Sequence, residues 1–169
     1  MCYQRLIEMD LSTLLSNTET LASPRKRSSK NVTVTSVEYT LEPPSAFIIK
    51  GTVQGLSDVY DVIIKFPEVK MKGRTPVSTT TGIKKIARIN ARNADVEVFC
   101  PCTDFLWAFN TPNYRVSALY NPLKNLRKEV PKGTSASGYS PNPSSTPGIC
   151  KHIIALANYL KQQKIINNF

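Results

Sequence analysis

Hydrophobic residues near the start of the chain recur at spacings of three and four, which is typical of one face of an amphipathic helix. A free helix of this length is only marginally stable in water. We therefore expect it to lie on the rest of the domain or on a partner. Within residues 3–21, its apolar face comprises Leu6, Ile7, Leu11, Leu14, Leu15 and Leu21.

From residue 32 the hydrophobic period changes to two, which predicts β-strands. Three segments rich in β-branched and aromatic residues, 32–41, 46–53 and 60–66, are separated by short turns that contain proline or glycine. Because connections of this length join antiparallel neighbours, the three segments predict an antiparallel meander.

The second half of the chain has a less regular pattern. Residues 67–82 are predicted to be irregular, and 83–92 fit a helix or a strand. A short strand is predicted over 96–99 and a short helix over 104–109. Six prolines within 110–147 predict a long loop, after which an apolar face at spacings of three and four predicts a helix from Gly148.

These elements predict an α+β fold, in which a small antiparallel β-sheet packs on the C-terminal helix. We expect residues 1–31 to form an N-terminal helix and basic arm. Residues 32–169 are then a single domain with an insertion loop at 110–147.

The formal net charge of the chain is +10, which favours nucleic acid, an acidic protein surface or anionic lipid as a partner. No apolar run approaches the roughly 20 residues that a membrane-spanning helix needs, so no membrane contact by insertion is expected. The first residues also lack the apolar core of a secretory signal. We therefore expect an intracellular assembly environment with reduced thiols.

Two segments concentrate positive charge with few acids. The first is interpreted as a nuclear signal, a nucleic-acid arm or a solvated linker, and its candidate contact residues are Arg25, Lys26 and Arg27. The second is interpreted as a phosphate-tracking surface, a patch for an acidic capsid or tail protein, or a solvated face. Its candidate contact residues are Lys70, Lys72, Arg74, Lys84, Lys85, Arg88 and Arg92.

Three of the four cysteines and the only histidine form two close pairs, Cys100 with Cys102 and Cys150 with His152. The pattern is C-x-C, 47 intervening residues, then C-x-H. Three thiols and one imidazole are a donor set of tetrahedral structural zinc sites, and four protein donors leave no open position for catalysis. The alternatives are three buried structural cysteines with a hydrogen-bonded histidine, or a redox pair, although redox pairs usually have C-x-x-C spacing.

Two segments carry a resemblance to a known family. Residues 100–105 read C-P-C-T-D-F, and residues 142–152 read N-P-S-S-T-P-G-I-C-K-H. Together they resemble the SWIM zinc finger, and more narrowly the SWIM-like proteins of tailed bacteriophages. The resemblance implies a zinc knuckle with Cys100, Cys102, Cys150 and His152 as ligands of a structural Zn²⁺. It also implies a virion component.

Catalysis has little support in the sequence, because a metal-bound His152 leaves no histidine as general base. We expect a non-enzymatic virion protein that is made in the host cytoplasm and contacts other virion proteins of a multi-subunit assembly through its arm and insertion loop. The alternative is a SWIM-type module that contacts DNA phosphates. Aromatic residues near the cysteines are expected in the core, namely Phe99, Phe105, Trp107 and Phe109. Those expected to contact a partner are Tyr114, Tyr120 and Tyr139.

Overall fold

The structure is a computed structural model, and it describes residues 9–21, 31–121 and 142–169. Four helices and eight strands lie in these ranges. The elements are α1 (Leu11–Glu19), β1 (Thr33–Glu42), β2 (Ala46–Gln54), β3 (Val59–Phe66), β4 (Thr75–Thr79), β5 (Gly82–Ile86), β6 (Ile89–Asn90), β7 (Glu97–Phe99), α2 (Thr103–Ala108), α3 (Asn110–Arg115), α4 (Lys151–Gln162) and β8 (Ile166–Asn167).

The predicted meander is confirmed in β1, β2 and β3. β1 pairs antiparallel with β2 from Thr33–Gln54 to Glu42–Ala46, and β2 pairs antiparallel with β3 from Phe47–Phe66 to Gln54–Val59. Phe47, Ile49 and Val53 of β2 are fully buried, and Lys50 between them is exposed. The period of two therefore reflects a strand with one face on the core.

The sheet is larger than the sequence predicted, with six strands in the order β5-β4-β1-β2-β3-β7. β4 and β5 form a hairpin. The prediction of an irregular segment at 67–82 is therefore wrong for β4, whereas residues 83–86, which fitted a helix or a strand, are a strand in β5. β4 also meets β1 in parallel, through Tyr39 and Thr79, so the sheet is mostly antiparallel. The sequence of β4 shows no hydrophobic alternation that would predict a strand, because only Val77 and Thr79 face the interior and Thr79 is polar.

The final helix, α4, packs on β1, β2 and β3, which confirms the α+β architecture. Its buried face includes Ile153, Leu156 and Leu160, each fully buried. Their spacing of three and four is the pattern that predicted the helix. A second, two-stranded sheet joins β6 to β8 beyond α4 and ties the chain end to the segment after β5.

The N-terminal helix lies on the domain. Asp10 caps α1, and its carboxylate accepts a hydrogen bond from the Thr13 backbone N–H at 2.8 Å. Leu11 and Leu14 are fully buried in the same core as the sheet and α4. The predicted helix also included Leu6 and Ile7, which lie outside the described residues.

The expected insertion 110–147 does not begin as a loop. Its first residues form α3, a short helix directly after α2. Residues 122–141, including Tyr139, lie outside the described residues, as do Arg25, Lys26 and Arg27 of the basic arm. Within the described ranges, every helix is too short or too polar to cross a bilayer.

Candidate metal centre

The first cysteine pair lies at the junction of β7 and α2. Cys100 follows β7 directly, where the strand has just paired with β3 through Phe99 and Ile63. Cys102 is the N-cap of α2, and its sulfur accepts a hydrogen bond from the Phe105 backbone N–H at 3.4 Å. Pro101 between the two cysteines fixes its own backbone φ, so both sulfurs turn toward the same side of the junction.

The second pair lies at the start of α4. Cys150 is the N-cap residue, and His152 follows in the first turn. The segment that leads into α4 is fixed by Asn142, whose side-chain amide donates to the carbonyls of Ala108 at 2.8 Å and Thr146 at 2.7 Å. The Asn142 side-chain oxygen in turn accepts from the Thr146 N–H at 3.0 Å. Asn142 thereby ties this segment to α2 and sets the direction from which Cys150 arrives.

Two further residues hold the segment before Cys150 in place. The Asn113 side chain accepts from the Gly148 N–H and donates to the Gly148 carbonyl, both at 2.9 Å. The Thr18 hydroxyl of α1 accepts from the Ile149 N–H at 2.8 Å. Gly148 must pass very close, since a Cβ there would lie 2.6 Å from both Phe109 Cε1 and Thr18 Oγ1. Helices α1 and α3 thus position the second ligand pair.

The four donor atoms converge on one point. One sulfur from each cysteine and one imidazole nitrogen of His152 all lie within 4.8 Å of one another. His152 Nδ1 is 3.8 Å from Cys100 Sγ and 4.0 Å from Cys150 Sγ. At most 3% of any of these residues is exposed. The structure therefore brings all four predicted ligands together in a buried cluster that could hold a metal ion.

The three thiols determine one another's protonation. Hydrogen bonds from Cys100 and Cys150 to the Cys102 sulfur lower the pKa of Cys102 below its ordinary value. The same bond to Cys102 raises the pKa of Cys100, and burial raises the pKa of Cys150 well above its usual range. Three thiolates in this space require a positive charge beside them.

The described cysteines form no disulfide, and all three are free thiols. Cys2, the fourth cysteine, lies outside the described residues.

The residues that position the cluster were missed by sequence reasoning. Thr18 is separated from Ile149 by 131 positions, and Asn113 is separated from Gly148 by 35. No local pattern links partners so far apart. Asn142 and Gly148 belong to the motif that suggested the family resemblance, but their roles in packing and hydrogen bonding emerge only from the fold.

The aromatic residues near the cysteines separate into buried and exposed members. Phe105 and Phe109 are fully buried, and Phe99 is half-buried in a T-shaped pair with Phe105, at 6.0 Å between ring centroids. The expectation of a core position is wrong for Trp107, which is 41% exposed because it lies on the outer side of α2. Tyr114 is 60% exposed on α3 and therefore accessible to a partner.

The structure brings most of the predicted basic contact residues together on one lobe, which we call the β4–β5 lobe. Backbone pairing of Ala87 N–H with the Lys70 carbonyl, at 2.7 Å, brings the segment 70–74 against the end of β5. All of its cationic residues are exposed, and none forms a salt bridge with a described residue. They are Lys70, Lys72, Arg74, Lys84, Lys85 and Arg88. Arg92, also exposed, lies further along the chain between β6 and β7.

Comparison with known proteins adds no relative: no protein-family model, no curated protein and no solved structure matches this chain. The resemblance to SWIM zinc fingers therefore stays a prediction.

Proposed function

We propose that Cys100, Cys102, Cys150 and His152 bind one structural Zn²⁺. The observation that supports this is the convergence of three sulfurs and one imidazole nitrogen within 4.8 Å in a buried cluster. In a tetrahedral zinc site, sulfur and nitrogen ligands are about 3.6 Å apart. The separations of His152 Nδ1 from Cys100 Sγ and Cys150 Sγ, 3.8 Å and 4.0 Å, are close to that value.

Zinc suits this donor set better than the other common divalent ions. Thiolates and imidazole favour zinc, whereas calcium and magnesium prefer oxygen ligands. The dication would also offset the charge of the three thiolates, which is costly to bury without a cation. When bound, it would join the β7–α2 junction to the start of α4 and so close the long segment between Cys102 and Cys150.

We infer that the chain is a non-enzymatic structural component of a tailed-phage virion. Four protein ligands would fill a tetrahedral zinc site and leave no coordination position for a substrate. The only histidine of the chain is one of these ligands. The virion assignment rests on the resemblance of residues 100–105 and 142–152 to SWIM-like phage proteins. Assembly contacts with other virion proteins then use the basic residues and the insertion, and the chain reaches the particle from the host cytoplasm.

A second function, binding to nucleic-acid phosphates, is favoured by the β4–β5 lobe. Six exposed cations lie there without an acidic partner among the described residues. Such a surface suits a phosphate backbone, and the lack of exposed aromatic rings on β4 and β5 leaves little for base stacking. The same surface would also suit an acidic virion protein.

Metal analysis comes first: protein purified under reducing conditions without chelators should contain one zinc per chain. A ratio near zero would contradict the zinc proposal. Mass spectrometry of purified particles of a phage that encodes this chain should then find it at fixed stoichiometry. Its absence from particles would contradict the virion role.

The nucleic-acid function is tested by a salt series of duplex DNA binding. The double variant Lys84→Gln/Lys85→Gln should lower the slope of log K against log salt by about 1 per lost phosphate contact. Lys50→Gln/Lys65→Gln is the matched control, because it removes the same charge from lysines that are already paired with Asp61 and Glu97. Absence of DNA binding at low salt would exclude this function. Equal slopes for both variants would exclude the β4–β5 lobe as the surface that contacts DNA.

A further inference from the structure

The two ring nitrogens of His152 face different surroundings. Nδ1 lies toward the sulfurs of Cys100 and Cys150, at 3.8 Å and 4.0 Å. Nε2 is buried and has no hydrogen-bond partner among the described residues. A ligating histidine nearly always donates its other ring N–H to a carbonyl, a carboxylate or a water, which fixes the ring. The surroundings of Nε2 therefore show how this ring is held.

The turn between β2 and β3 forms those surroundings. A Cβ built on Gly55 would lie 3.0 Å from His152 Nε2 and 3.3 Å from the Asp58 carbonyl oxygen. The backbone of the turn is closed by the Gly55 N–H, which donates to the Asp58 carbonyl at 2.8 Å. A side chain at position 55 would thus occupy space between the imidazole nitrogen and the turn carbonyls.

The backbone conformation does not explain glycine at position 55. Gly82 is the described glycine with a positive φ, and Gly55 has a φ that any residue adopts. Alanine is therefore permitted at position 55 by the backbone. The atom that an alanine Cβ would approach most closely there is His152 Nε2, followed by the Asp58 carbonyl oxygen.

Tyr60, at the start of β3, holds the face of the same ring. Its ring centroid is 4.5 Å from that of His152, with the planes tilted by 45°. The Tyr60 hydroxyl donates to the Asp58 carboxylate at 3.3 Å, which links Tyr60 back to the turn. The segment from Gly55 to Tyr60 therefore contacts both the edge and the face of His152.

We propose that His152 binds the metal through Nδ1, and that Gly55 is a positioning residue that keeps the Nε2 side open. The zinc-bound ring then carries its proton on Nε2, on the side that faces the turn. This inference rests on the proposed zinc site and adds which nitrogen binds and which element outside the ligand set orients it.

Nuclear magnetic resonance decides which nitrogen binds. His152 is the only histidine, so protein labelled with ¹⁵N-histidine and loaded with zinc gives the ring signals of one residue. Long-range ¹H–¹⁵N correlation should show Nδ1 bound to metal and Nε2 carrying the proton. Zinc at one per chain with Nε2 as the bound nitrogen would overturn this inference but leave the zinc proposal intact. Protein without zinc would overturn the zinc proposal itself, and this inference with it.

The role of Gly55 is tested by zinc affinity, measured in competition with a chromophoric chelator. Gly55→Ala should bind zinc about 10- to 100-fold more weakly, which is the usual effect of disturbing a partner of a ligating histidine. Leu56→Ala controls for the turn, because Leu56 is 77% exposed. Gly51→Ala controls for general destabilisation, since a Cβ there meets the Leu156 side chain at 2.6 Å and not the imidazole.

Both controls should keep wild-type affinity. A Gly55→Ala protein that binds zinc as tightly as the wild type would refute the positioning role, as would an equal loss in Gly51→Ala. If Gly55→Ala does not fold, the wild-type spectrum still decides which nitrogen of His152 binds.

Discussion

Removal of the metal is expected to lower thermal stability without unfolding the chain at room temperature. The reason lies in the size of the core, because most of its buried residues, from α1, the six-stranded sheet and α4, lie outside the four-residue cluster. Small zinc fingers lack such a core and are unfolded without metal.

The magnitude follows from linkage between binding and folding. Free zinc at a thousandfold excess over its dissociation constant stabilises the folded state by about 4.1 kcal/mol, if the unfolded chain binds none. For a domain of this size, each kcal/mol changes the midpoint of thermal unfolding by about 2–4 °C. The chelated protein should therefore unfold about 8–16 °C below the zinc-loaded protein.

Circular dichroism melts with zinc and with excess chelator, both under reducing conditions, measure this difference. Cys150→Ser removes one ligand and should melt at the same temperature with and without zinc. Cys2→Ser is the matched control, since Cys2 lies outside the predicted ligand set, and it should keep the full difference. A zinc-dependent melt in Cys150→Ser equal to that of the wild type would refute the assignment of Cys150 as a ligand.

Three further predictions concern the fold around the cluster. Thr18→Val should cost about 1–3 kcal/mol in urea unfolding, because it leaves the buried Ile149 N–H without its acceptor; an unchanged midpoint would contradict this role. Leu156→Ala should lower the free energy of unfolding by about 2–5 kcal/mol, since the Leu156 side chain of α4 is fully buried against Gly51 of β2. A loss below about 1 kcal/mol would contradict this, because it would mean that neighbouring side chains fill the cavity. Burial, with the nearby Tyr159, raises the pKa of Tyr39 to about 12. A folded-state pKa above the unfolded value of about 10 gives stability that is complete below pH 10 and lost as pH rises through about 12. Tyr39→Phe should therefore flatten the decline of the urea midpoint between pH 10 and 12, and an identical decline would contradict it.

The sequence by itself determined the parts of this protein whose signal is local. The period of two predicted β1, β2 and β3, and the spacing of Ile153, Leu156 and Leu160 predicted α4. In each element one face is buried, so apolar residues recur along the sequence at the period of a strand or a helix. The ligand set was also visible, since it uses the only histidine and three of the four cysteines. Their types and short spacings suffice to indicate a tetrahedral site.

The tertiary structure decided what depends on distant partners. β4 was missed because its polar residues show no clear alternation, and its place between β5 and β1 comes from pairing. Trp107 was misplaced because a short helix has too few residues to define a buried face. Thr18, Gly55, Tyr60 and Asn113 reach the cluster from four separate elements or turns. Their contacts exist only after the chain has folded, so no local pattern could reveal them.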